Sequence, residues 1–125
     1  MSAKLRGIRG AVTVDENTPE AILEGTARLL KEMLAQNPVE VDEIATIFFS
    51  VTRDLDQEFP AKAARKIGLS FTPLLCMNEI PVPTDLERCI RILILHNTDT
   101  PQQDIRHVYL GETQKLRPDL NSQSQ

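Results

Sequence analysis

IATIFFSVT, residues 44–52, decides the fold, because it is apolar on both of its alternating sets of positions and rich in β-forming residues. Such a run predicts a central strand, and both of its faces must then be covered. Outward from it, CIRILILH, residues 89–96, reads as a second strand in which Cys89, Arg91, Leu93 and Leu95 share one face. LRGIRGAVTV, residues 5–14, alternates in the same way. Ile8, Gly10, Val12 and Val14 fall on one side, and Gly7, Arg9, Ala11 and Thr13 on the other. Shorter strands are predicted at Pro73 to Met77 and at His107 to Leu110.

The covering layer is helical. Thr18-Pro19 offers an N-cap and a first-turn proline, and Ile22, Leu29, Leu30, Met33 and Leu34 recur at helical spacing up to Asn37-Pro38. A short turn is expected at Val41 to Ile44. A helix of about two turns is expected where Phe59-Pro60 opens AKAARKIG, which stops at Gly68. Thr100-Pro101-Gln102-Gln103 has capping-box spacing and predicts another short helix before the His107 strand. After Leu120 the chain is a polar tail. One long helix, short helical pieces and about five strands make a mixed α+β domain.

The chain of 125 residues fits one domain, spanning residues 1–125. Its 41% hydrophobic and 26% charged residues match a soluble globular protein rather than a disordered one. A net charge of −4 repels nucleic-acid backbones and anionic membrane surfaces, so neither is expected as a partner. Cys76 and Cys89 make no CxxC pair, and His96 and His107 stand apart from further ligands, so neither a zinc site nor a disulfide framework is indicated. No apolar leader or bilayer-length apolar run is present in the sequence, which makes the cytoplasm the expected location.

No activated nucleophile is visible: Ser50 and Ser70 lack a nucleophile elbow, and Cys76 has no neighbouring histidine in sequence. GIRG, residues 7–10, is too short for a phosphate loop and lacks its lysine. Arginine stands out instead, with nine against five lysines, and it occurs at defined places: Arg9 between glycines, Arg65 on the short helix, Arg91 inside an apolar strand, Arg117 before Pro118. A guanidinium stays charged when desolvated and grips carboxylates with a rigid fork, which suits a small polyanionic ligand. Arg65 and Arg117 read equally well as solvated surface charges. Arg91 needs an anion, either an internal acid such as Glu79 or a bound ligand. Glu79, at a strand end, suits either that pairing or acceptance of a ligand hydroxyl. Tyr109 reads as core, or as a ring that packs while its hydroxyl meets a ligand.

RGIRGA (6–11), FPAKA (59–63), CM (76–77), CIR (89–91), IRHVYL (105–110) and LRPDL (116–120) together resemble the monofunctional trimeric chorismate mutases, in that family's order and spacing. The resemblance runs from about Lys4 to Leu120. It implies a mixed sheet with one long helix, three copies of which form a pseudo-α/β barrel with active sites between subunits. It also implies rearrangement of chorismate to prephenate in aromatic amino-acid biosynthesis, with no cofactor and no metal. By the same resemblance Arg9 and Tyr109 hold a substrate carboxylate, Arg91 is the cation beside the breaking ether oxygen, and Glu79 takes the ring hydroxyl. The backbone at Leu75 and Cys76 completes that hydroxyl's setting. Phe59, Ala61 and Leu116 supply apolar walls, and Lys62, Arg65 and Arg117 a cationic entrance. Leu75 and Leu74 replace a threonine and a valine of one family member, so a contact at Leu75 is implied through the main chain alone. Two other classes share the arginine cleft as an expectation: small trimeric deaminases, and non-catalytic modules that bind an aromatic metabolite.

Overall fold

The computed structural model describes residues 3–83 and 86–115. Five strands form one mixed sheet in the order β3-β2-β4-β1-β5, where β1 is Lys4–Thr13, β2 Ile44–Val51, β3 Leu74–Asn78, β4 Cys89–Thr98 and β5 Val108–Tyr109. The IATIFFSVT run is thus an interior strand, paired antiparallel with β4 and parallel with β3. β4 is the centre of the sheet. It pairs antiparallel with β1 along its full length, from Lys4 opposite Thr98 to Thr13 opposite Cys89.

Helix α1, Pro19–Ala35, starts where Thr18 accepts a hydrogen bond from the Ala21 N–H at 3.1 Å, which satisfies one of the donors a helix start leaves unpaired. Its buried stripe of Ile22, Leu29, Leu30 and Met33 lies against the sheet face made by Ile8, Val12, Ile47, Phe49, Ile90, Ile92 and Ile94. Gly10 makes the close approach possible, because a Cβ there would stand 2.4 Å from Met33 Sδ. Helix α2, Ala61–Lys66, adds Ala61 and Ala64 to the same core. It ends at Gly68, whose φ of +101° is left-handed backbone that a side chain rarely tolerates.

β5 is only Val108–Tyr109, shorter than the expected His107 to Leu110, and it runs parallel to β1 at Gly10 and Ala11. Leu110 continues the pairing through its N–H to the Ala11 carbonyl at 2.9 Å, whereas the residues before β5 are held by side chains. Asn37 donates to the Met33 and Arg106 carbonyls, each at 2.9 Å, and accepts from the Arg106 N–H at 2.9 Å. His107 Nδ1 accepts from the Arg9 N–H at 3.0 Å. The capping box expected at Thr100 does not form. The turn there is a three-residue 3₁₀ piece, Gln102–Asp104, without a side-chain cap, and the Thr100 hydroxyl lies 3.1 Å from that of Thr98.

Candidate functional site

Pairing sets which side chains meet on the face of the sheet away from the helices. One row across the strands reads Leu75, Phe48, Leu93, Arg9, and the next reads Met77, Ser50, Arg91, Ala11, Tyr109. These rows floor a hollow of about 390 Å³, within the size range of small-molecule sites. Arg9 and Arg91 line it together with Tyr109 and Ser50, the rest of the wall is mostly apolar, and no carboxylate is among its described lining residues. A small anion entering it meets two fixed cations against a poorly polarisable wall, where each charge acts more strongly than in water.

Glu79, at the end of β3, lines a neighbouring hollow beside Thr52 and Leu86 and touches this floor through Ser50 and Arg91. Its main-chain N–H donates to the Val51 carbonyl at 2.7 Å, which carries the β2–β3 pairing one residue further. Its Oε2 then meets an Arg91 terminal nitrogen at 2.8 Å. The Glu79 and Arg91 side chains are only 16% and 24% exposed, so the pair is largely shielded from solvent screening. The internal acid is therefore what answers Arg91 in the folded chain. A guanidinium carries five N–H donors, so contact with one carboxylate oxygen does not exhaust it.

Other residues singled out from the sequence lie elsewhere. Phe59 and Cys76 line a second hollow of about 340 Å³, which shares Met77 with the first. Phe59 is 68% exposed, and Leu75 is exposed on the edge strand β3. Ala61, expected as an apolar wall, is the first residue of α2 and is buried in the core, lining neither hollow. Lys62 is paired with Glu58 at 3.3 Å, and Arg65 is exposed on the last turn of α2. The Phe59 N–H and the Lys62 ammonium hold the Glu58 carboxyl below its ordinary value, and the side chains of Asn17 and Gln57 do the same for Asp56. Leu116 and Arg117 lie outside the described residues. Among the described residues no group of three metal-ligating side chains occurs, and no helix is long and apolar enough to cross a membrane.

Sequence reasoning did not place the apolar lining residues Phe48, Met77 and Leu93 in the site, nor the polar Ser50. It appeared only as a serine without a nucleophile elbow. Nothing in its immediate neighbours signals its position, which depends on the register of three strands.

Fold and hollow together give a single α+β sheet whose open face carries a mostly apolar cleft with two arginines in its wall. The chain belongs to the chorismate mutase type I family, which it matches over residues 5–120. It is 56% identical to chorismate mutase AroH of Thermus thermophilus over 119 residues, covering 94% of this chain and 98% of that protein. It is 43% identical to chorismate mutase AroH of Bacillus subtilis over 118 residues, covering 94% and 93%. The solved chorismate mutase from Clostridium thermocellum superposes with a TM-score of 0.85 at 51% identity, covering 87% of this chain and 97% of that one. The activity is that of a chorismate mutase, an intramolecular isomerase.

Proposed function

We propose that the hollow floored by Arg9, Ser50, Arg91 and Tyr109 is where chorismate rearranges to prephenate, in a single-domain cytoplasmic enzyme that works as a homotrimer. The observation that carries this reading is Arg91: a guanidinium in the middle of an apolar strand, aimed at an apolar-walled hollow and held there by Glu79 at 2.8 Å. The reaction breaks a carbon–oxygen bond and forms a carbon–carbon bond within one molecule. The protein's task is to select the folded conformer and to stabilise the charge that grows on the ether oxygen. Arg91 serves the second task, because a fixed charge in a poorly polarisable wall gains more from a developing anion than from the neutral ether of the ground state. Arg9 and Tyr109, neighbours across β1 and β5, take a substrate carboxylate. Glu79 accepts the ring hydroxyl, with the main chain at Leu75 and Cys76 beside it.

The homotrimer, with three sheets in a pseudo-α/β barrel and active sites between subunits, is supported by what one chain leaves open. Phe48, Leu93 and Leu95 are only partly covered on the face without helices, and Phe59, Leu75 and Met77 are exposed. The group around Phe59, Lys62 and Arg65 does not line the hollow of its own chain. We assign it to the hollow of the neighbouring subunit, as apolar wall and cationic entrance; Leu116 and Arg117, to which the resemblance gives the same two roles, lie outside the described residues.

The test follows chorismate's ultraviolet absorbance on addition of purified protein, with prephenate identified in the product and Arg91→Ala prepared alongside. Turnover by the native protein and its loss in the variant support both the site and the cation. Near-normal turnover by Arg91→Ala moves the reaction away from this hollow. A strictly monomeric mass in light scattering under active conditions overturns the trimer.

A further inference from the structure

Ser50 faces the hollow from β2, opposite Arg91 on one side and Met77 on the other. Its hydroxyl donates to Glu79 Oε1 at 2.9 Å, while Arg91 holds Oε2 at 2.8 Å. The carboxylate is therefore gripped at both oxygens, by groups on two adjacent strands, and its main chain is pinned to Val51 at 2.7 Å. Each grip fixes something the others do not. The backbone bond sets where the side chain starts. The arginine contact alone leaves the terminal carboxylate torsion soft, since such sp³–sp² rotations have broad wells. A second, charge-assisted bond to the other oxygen fixes the plane of the carboxylate.

We propose that Ser50 is a positioning residue for the rearrangement: it sets the plane of the Glu79 carboxylate, so that one lone pair accepts the substrate's ring hydroxyl while Oε2 keeps Arg91 in place. The proposal rests on the assignment of Glu79 as the hydroxyl acceptor. Serine suits the place on physical grounds. Its hydroxyl is short and springs from a strand paired on both edges, so little freedom remains to be lost when substrate arrives. It is also uncharged, so it orients the carboxylate without competing with Arg91 for the anion.

A serine that merely satisfied a sheltered carboxylate would affect stability, whereas a positioning serine affects turnover through Glu79 alone. The experiment is a double-mutant cycle of Ser50→Ala and Glu79→Gln on the full chain, with kcat and KM for chorismate and thermal unfolding recorded for every variant. Loss of a hydrogen bond to a charged group predicts a fall in kcat/KM of about 10- to 100-fold for Ser50→Ala, borne mainly by kcat. In the Glu79→Gln background the same substitution should change kcat/KM less than about twofold, because the charged carboxylate it orients has been replaced by an amide. Ser50→Thr, which keeps the hydroxyl on a strand-compatible side chain, should recover most of the loss and keeps the test open if the alanine variant folds poorly. An unchanged Ser50→Ala, or one whose loss is equal in both backgrounds, overturns the proposal while Glu79's role stands. A Glu79→Gln variant with native kcat/KM removes the role of Glu79 itself, and that of Ser50 with it.

Discussion

Along β4, Ile90, Ile92, Ile94 and His96 are buried beneath the helices, while Arg91, Leu93 and Leu95 between them stay partly open on the opposite side. β1 divides in the same way, with Ile8, Gly10 and Val12 toward α1 and Arg9 toward the hollow. One ten-residue strand thus contributes to two environments with different demands. The covered face is chosen for volume and dryness, so any change is felt as stability. The open face carries Arg9 and Arg91, and under the proposed function a change there is felt first as rate. Because the two sets alternate along the same backbone, the core is also the mounting of the site. Ile90 and Ile92 hold Arg91 in place from behind.

Arg91→Ala separates the two faces most strongly. Loss of a preorganised cation should lower kcat about 10³-fold while the fold is retained, with a smaller drop in the thermal midpoint because Glu79 loses its partner, and Arg91→Lys, which keeps charge but not the fork, should recover part of both. Equal loss of rate and midpoint would show that the open face is structural after all. The mirror experiment is Ile94→Ala, at a fully buried position on the other side of the same strand. It should destabilise by about 2–5 kcal/mol in denaturant titration, while kcat measured on the folded fraction stays near native. Gly10→Ala tests the boundary between the faces. Its Cβ collides with Met33 Sδ, and because a thioether can rotate aside the expected loss is near the low end of overpacking, about 1 kcal/mol. A larger loss accompanied by raised KM would mean that the strain reaches Arg9.

The smallest effect is a pH dependence. His96 is fully buried, and neither ring nitrogen has a hydrogen-bond partner among the described residues. Burial pushes its pKa below the ordinary value of 6.5. The unfolded chain therefore binds this proton more readily. The stability His96 contributes is complete above pH 6.5 and is lost as pH falls through the lowered folded-state value. Thermal midpoints measured from about pH 7.5 down to about pH 5 should decline in the native protein and much less in His96→Leu. Asp56 and Glu58, with carboxyls held below their ordinary 3.8 and 4.5, lose their contribution only at still lower pH, so the two regimes separate. A native protein whose midpoint is flat from pH 7.5 to about pH 5 would mean that His96 finds a partner on protonation.

What was legible in the sequence was mostly local. Alternation in residues 5–14 and 89–96 placed Arg9 and Arg91 on the right faces, because the side-chain period of a strand is fixed by backbone geometry. The Thr18-Pro19 start of α1 was equally plain, since a cap is made within one turn. The Thr100 box had the same spacing and failed, because only three residues turn there and no helix follows to be capped. The 3₁₀ segment Gly111–Lys115 was not foreseen, having no apolar periodicity to announce it. In the site, Arg91 demanded an anion and left two candidates; the choice of Glu79 depends on how β3 is pinned beside β2. Ser50 meets Glu79 across 29 residues of chain, through a parallel pairing that no local pattern encodes.

The alternation of faces along β1 and β4 also limits how such a protein can change length. Insertion or loss of one residue inside either strand would reverse the parity of every position beyond it, sending an arginine into the dry core and an isoleucine into the hollow. A two-residue change would restore the faces but shift the rows, separating Arg91 on β4 from Ser50 on β2. Substitutions can therefore accumulate in these strands one at a time, but their lengths are in effect frozen. A change of length disturbs the site least in a connection such as residues 99–106, from which no row of the site is counted.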